Sequence, residues 1–407
     1  MSDWTVLLGG TLIDGTGREP VCDAVVVVEG ERIRYAGPRA SAEWPESVHT
    51  YSTEGLTLMP GLIDCHDHLA HTGLDMARRA AMPPSLIVYE TVQSLEQTLR
   101  AGITSVRDAG WLDLGAKLAV ERGIVPGPRL VISVNLLCPT AGHGDPCYPS
   151  GMTVPNPPGV PDGVCNGVDE CRYAVRRMVT AGADQIKIAT TGGVSSMRPG
   201  PTGRQFTDDE VAALVDEAHA WGKPVLSHAY GGAGARAAIQ AGVDSIEHGA
   251  YLHRDDDLLR EMADRGTFLV PTLSVNEAHR VRGNPMQQQR AEAVAKEYRR
   301  TLERAFALGV RVAMGTDAGA YGHGQNAKEV GLLAEAGLTP MQAIVASTST
   351  AASCAGLDTD TGELVPGKYA DLLAVRGNPL MAPKLLEDAA NLHLVLKGGV
   401  PCSSGTS

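Results

Sequence analysis

Eight short apolar segments, at 62–64, 105–108, 130–135, 185–189, 224–228, 245–247, 268–271 and 311–315, recur along this chain, and most are separated by amphipathic stretches. The helical patterns lie at 86–101, 171–181, 208–221, 234–241, 255–265 and 291–308. Parallel strands need long crossovers, and a helix that crosses back covers the sheet it came from. Eight strands, most of them followed by a helix, therefore predict an α/β chain, a (β/α)8 TIM barrel spanning 58–358. Gly102, Gly182, Gly242 and Gly309 each follow the end of a helical pattern, where a left-handed stop is expected.

The flanks read differently. Trp4–Leu8, Ala24–Glu29 and 32–36 are short β segments, with Gly30-Glu31 as a turn, and 370–375 and 393–397 resemble them in character. Chain ends often meet, so 1–57 and 359–407 are expected to form one small β-sandwich domain. The segment 138–168 breaks the rhythm with many Pro and Gly residues, and a loop of that length in a compact domain usually forms a lid or pocket wall.

Composition narrows the function classes. Charged residues are 20% and hydrophobic residues 43%, which suits a globular core. No apolar run approaches the ~20 residues of a membrane helix, and Met1-Ser2-Asp3-Trp4 lacks a basic or apolar leader. A cytoplasmic location without a membrane partner is expected. The net charge of −12 argues against nucleic acid, which leaves a small-molecule substrate. The eight cysteines read as thiols, with Cys147, Cys165 and Cys171 leaving room for a structural zinc site.

The chemistry gathers at strand ends. His66 and His68 alternate at the end of the first strand and so share a face. His228, His248 and Asp317 each end a later segment, at the end where such barrels build active sites. Imidazole and carboxylate suit zinc and related divalent ions. Lys187 stands inside an apolar strand, where a lysine is costly unless paired with a carboxylate or converted by CO2 to a carbamate. Thr190–Val194 is glycine-rich but lacks the Gly-Lys-Ser/Thr step of a phosphate loop.

The order His66-x-His68, Lys187, His228, His248, Asp317 resembles the amidohydrolase superfamily. Within it, the chain is similar to the imidazolonepropionase-related branch, with its Xaa-Pro and Xaa-Arg/Lys dipeptidases and ochratoxin-type amidases. Met59-Pro60-Gly61-Leu62-Ile63-Asp64, Gly362-Glu363-Leu364 and Gly367-Lys368-Tyr369-Ala370-Asp371-Leu372 extend the resemblance over nearly the whole chain.

The resemblance implies two divalent metal ions, zinc by default with cobalt or manganese as alternatives. His66, His68 and Asp317 would hold the more buried ion and His228 and His248 the other, with carboxylated Lys187 and a hydroxide bridging them. Asp317 would shuttle the proton from nucleophile to leaving amine. His143 would polarise the scissile carbonyl, and Tyr230 would bind the substrate's α-carboxylate. His323 and Asn326, just after Asp317, are candidates for the pocket wall, while His71 and His253 read as ordinary loop residues. The implied reaction is hydrolysis of a dipeptide or an N-acyl amino acid. Carbamate, urea or lactone hydrolysis and imidazolonepropionase-like C–N hydrolysis are the alternatives. Relatives of this kind are often homo-oligomers.

Overall fold

In the computed structural model, residues 4–73, 76–196 and 200–404 are described. Strands Leu62–Asp67, Ile103–Asp108 and Arg129–Ile132 pair in parallel, as do Leu136–Leu137, Ile186–Ala189, Val225–Ala229, Ser245–His248 and Phe268–Val270. Asp184 N donates to Ile132 O at 2.8 Å and links the two groups at one side. At the other, residues 311–317 run between them. Leu269 N bonds Arg311 O at 2.9 Å, Cys65 N bonds Met314 O at 2.9 Å and Thr316 N bonds His66 O at 3.1 Å.

Two expected strands are less regular than their sequences. The segment 130–135 breaks after Ile132, because Val134 sits at φ +64, unusual for a β-branched residue. The segment 311–315 keeps its backbone hydrogen bonds but has only an isolated bridge, Leu269 to Val312. Gly315 explains the closeness of packing there. A Cβ on it would fall inside the Val270 side chain and 2.8 Å from His66 Cβ. Gly315→Ala is therefore expected to destabilise the protein by about 1–3 kcal/mol and to displace His66. Thermal melting and metal content would both register the change, and an alanine variant with both unaltered would contradict it.

Helices Pro84–Arg100, Gly167–Thr180, Asp208–Ala220, Gly232–Ala241, Asp256–Arg265 and Pro285–Ala307 occupy the expected stretches. Leu114–Glu121 and Leu273–Arg282 are helices that the hydrophobic pattern does not reveal. The four junction glycines all lie at φ between +82 and +93, the conformation that lets the chain leave a helix without a Cβ clash.

The remaining strands form two further sheets. One has the order Arg32–Pro38, Ala24–Glu29, Trp4–Leu8, His49–Ser52. The other runs Val400–Ser404, Leu392–Lys397, Leu372–Arg376, Leu56–Pro60, Thr11–Leu12, Val21–Cys22, and so interleaves both ends of the chain. Ala24, Val26 and Val28 face the second sheet, packing with Leu58, Leu372, Leu394 and Leu396. Val25 and Val27 face the other way, against Trp4, Tyr35 and Trp44. Period-2 alternation thus gives one strand two apolar faces.

The tail motif ties these sheets to the parallel set. Buried Asp371 accepts from Arg129 Nε at 2.9 Å and from Gly398 N at 2.6 Å. The Tyr369 ring lies between the Arg129 and Arg32 guanidinium groups, at 3.7 and 3.6 Å from its centroid. All eight cysteines are free. Cys147 is exposed, whereas Cys165 and Cys171 are buried with their sulfurs 3.7 Å apart. Among the described residues no helix is long and apolar enough to cross a membrane.

Candidate active site

Parallel strands carry their side-chain ends to one rim, and the histidines meet there. His66 and His68 end the strand Leu62–Asp67 and its turn, His228 lies in Val225–Ala229, and His248 closes Ser245–His248. Ring centroids are 5.4 Å apart for His66–His68, 5.0 Å for His66–His248 and 4.5 Å for His228–His248. Asp317 Oδ1 lies 3.2 Å from His68 Nε2 and 3.8 Å from His66 Nε2. Donor atoms of His66, His68 and Asp317 all fall within 4.8 Å of one another, which makes a metal-competent group. Three turns at this rim hold non-glycine residues in the left-handed region: His248 at φ +71, Thr272 at +53 and Asp317 at +57. Strained conformations of this kind persist where the surrounding fold over-determines them.

Each histidine has one nitrogen tied to the protein. His66 Nδ1 donates to Glu247 Oε2 at 2.5 Å, and His68 Nδ1 to Gly110 O at 3.3 Å. His228 Nε2 donates to Gly192 O at 3.1 Å, and His248 Nδ1 is bonded to Thr272 Oγ1 at 2.7 Å. A ring fixed this way presents its other nitrogen as a lone pair, the arrangement that orients metal ligands. Burial pushes the His66 and His228 imidazolium forms well down and takes His248 to about 3, so these three rings are neutral near pH 7, whereas for His68 burial is outweighed by the Asp317 contact, which raises it above the usual imidazole range. Burial alone would raise the Asp317 carboxyl, but the His68 contact and the neighbouring imidazoles hold it below the usual range.

Two buried polar atoms in this cluster have no hydrogen-bond partner among the described residues: His248 Nε2 and Lys187 Nζ. Lys187 is 2% exposed, and burial brings its ammonium down to about 8. Unsatisfied buried groups cost ~1–3 kcal/mol each, and an absent ion or modification is one of the few explanations that removes the cost. The donor set therefore fits divalent metal ions, with nitrogen and oxygen ligands of the type zinc takes.

His143 stacks on His228, with centroids 4.0 Å apart. Its Nδ1 is 2.6 Å from Ser196 Oγ, and that hydroxyl oxygen already accepts from Gly193 N at 2.7 Å. In the tautomer that takes the hydroxyl proton at Nδ1, His143 carries its own proton on Nε2 and is a donor there. Arg290 Nη1 donates to Ser196 O at 2.6 Å and holds this loop from helix Pro285–Ala307. Tyr230 lies nearly parallel to His248, at 5.0 Å and 10°.

His323 departs from the expected pocket contact. Its Nε2 donates to Asp67 Oδ1 at 3.0 Å, and Asn326 Nδ2 donates to Asp64 and Asp67 at 2.8 Å each. Both residues thus bind the acidic side chains of the Asp64–His68 motif and brace it. His253 is structural, bonded to Thr301 and Glu297. Sequence reasoning passed over Glu247 and Arg107. Glu247, fully buried, accepts from Arg107 Nη2 at 2.8 Å, from Ser245 Oγ at 2.5 Å and from His66. The rule that singled out Lys187, a charge inside an apolar strand, applies equally to both.

A cavity of about 590 Å³ opens beside the cluster, walled by His143, by the loop from Thr140 to Pro157, and by His71, Arg79 and Trp111. The irregular loop thus lines it.

The amidohydrolase family model matches residues 57–402. The ochratoxinase of Aspergillus niger is 33% identical over 97% of this chain and 86% of its own length. A prolidase solved with N-methylphosphonate-L-proline superposes with a TM-score of 0.90 at 32% identity, covering 98% of this chain and 99% of that one. A Xaa-Pro dipeptidase with methionine in its active site gives 0.88 at 32%, with the same coverage of each chain.

Proposed function

The chain belongs to the amidohydrolase family and is a hydrolase of C–N bonds, and on that premise we propose that it cleaves the amide of a dipeptide or N-acyl amino acid over two divalent metal ions. The parallel strands and their helices are read as a (β/α)8 barrel over 58–358. The interleaved sheets are read as a β-sandwich formed by 1–57 and 359–407. The observation that carries the functional reading is the pair of orphaned buried atoms, Lys187 Nζ and His248 Nε2, amid histidines whose other nitrogens are occupied.

His66, His68 and Asp317 would hold one ion, His228 and His248 the other, and Lys187, carboxylated by CO2, would join them. When bound, such ions polarise the scissile carbonyl and bring a water's pKa toward neutrality. Asp317, kept ionised by its histidine neighbours, takes the proton of the attacking water and returns it to the leaving amine. His143, donor at Nε2, hydrogen-bonds the carbonyl oxygen as charge builds on it. Tyr230, whose phenol burial keeps protonated, donates to the α-carboxylate of the leaving amino acid.

The test is turnover of N-acyl amino acids and Xaa-Pro dipeptides by metal-loaded protein, with metal counted per chain. About two ions and amide cleavage are expected, and an enzyme with one ion or with no amide turnover would overturn the reading. Tyr230→Phe is expected to raise KM by about tenfold for substrates with a free carboxylate, and to leave the corresponding amino-acid amides unaffected.

A further inference from the structure

One charged group beside the site takes no part in this chemistry. Arg79, in the short helix Met76–Ala81, is 8% exposed. Its Nη1 donates to Ala70 O at 2.7 Å, whereas Nη2 is buried with no partner among the described residues. A guanidinium keeps its charge in a protein, so an unsatisfied N–H on it calls for an acceptor. Among the described residues, the nearby acids are engaged elsewhere. Asp108 accepts from Leu69 N and Gly110 N, and Glu90 accepts from Thr72 Oγ1 and Arg78. Arg79 shares the wall of the 590 Å³ cavity with Trp111 and His143.

Trp111 supplies an independent observation. It sits at φ +72, a conformation rarely adopted by a bulky residue. Its ring lies 4.8 Å from that of His68 and 5.4 Å from that of His71, edge-on to the latter. The turn is pinned at each step. Gly110 N donates to Asp108, Gly110 O accepts from His68, and Trp111 N donates to Val134 O at 2.8 Å. The same turn that seats a ligand histidine therefore fixes an indole at the cavity wall.

Trp111 stands against His68 and Tyr230 against His248, so the two rings flank the ligand cluster from different members. With Tyr230 reading the leaving amino acid, we propose that Arg79 and Trp111 form the acyl-side subsite, built for a flat acyl group that carries a carboxylate. The indole stacks on the planar group, and Arg79 Nη2 donates to its anion in a charge-assisted hydrogen bond. This assignment rests on the amide-hydrolase reading above.

The test pairs hydrolysis with binding. N-(3-carboxybenzoyl)- and N-(4-carboxybenzoyl)-L-phenylalanine are compared with N-benzoyl-L-phenylalanine on metal-loaded enzyme. At least one carboxylated substrate is expected to show about tenfold or greater kcat/KM, and Arg79→Met is expected to bring that ratio near one, with Arg79→Lys between. Calorimetry with isophthalate, terephthalate and benzoate reads the subsite without turnover, and a dicarboxylate is expected to bind at least about tenfold more tightly than benzoate in the parent but not in Arg79→Met. No dicarboxylate preference in the parent, or a preference that survives Arg79→Met, overturns the subsite. Binding preference without hydrolysis of any of the three amides would uphold the subsite and overturn the amide reading instead.

Discussion

Lys187→Ala is expected to lower kcat/KM by about 10²–10³-fold and to reduce bound metal, and millimolar acetate or propionate should restore part of both. The residue sits mid-strand in Ile186–Ala189 with its amine buried and unbonded. Two chemistries fit such a position. As an ammonium, Lys187 would serve the nearby charges of Glu247 and Asp317. As a carbamate it would be an anion, and truncation to alanine would leave room for a small carboxylate in its place. Rescue by acetate, with methylamine inert, supports the anion. Rescue by methylamine, with acetate inert, would sink the carbamate and restore the ion pair.

Glu247→Ala is expected to cost about 3–5 kcal/mol of stability, because it strands a buried guanidinium. Arg107 is 2% exposed and has three acceptors among the described residues, Glu247, Ser245 Oγ and Cys65 O, of which Glu247 alone carries charge. A melting temperature lower by roughly 4–6 °C would follow for a chain of this size. His66 would also lose the acceptor that fixes its ring, with metal affinity falling about 10–100-fold. The double change Arg107→Met/Glu247→Leu removes both charges and should cost clearly less than the sum of the two single changes. A Glu247→Ala protein that melts within about 1 °C of the parent would show that the pair does not hold the fold.

Much of this site is legible in the residues themselves. The candidate ligand histidines and Asp317 advertise their places because they fall at or just past the ends of short apolar segments, and that pattern is strong. Glu247 and Arg107 are harder to read, since alternation says only that they share a face with Ser245 and Ser105, not that the face is closed from water. His323 misleads for a related reason. Its partner Asp67 stands between His66 and His68 and reads as solvent-facing until the fold buries it. The helix Leu114–Glu121 escapes notice because Gly115 and Ala116 weaken its periodic stripe. The break after Ile132 depends on a φ that nothing local to Val134 specifies.

The six-stranded sheet has a consequence for synthesis. Leu56–Pro60 pairs on one side with Thr11–Leu12, which the ribosome has already released, and on the other with Leu372–Arg376, made roughly 300 residues later. At about 5–20 residues per second, that edge waits on the order of 15–60 s with its hydrogen-bonding groups unpaired. Nascent chains of this protein are therefore open to strand exchange with one another for as long as translation lasts. Slower decoding of the middle of the message should lower soluble yield even though the finished protein is unchanged.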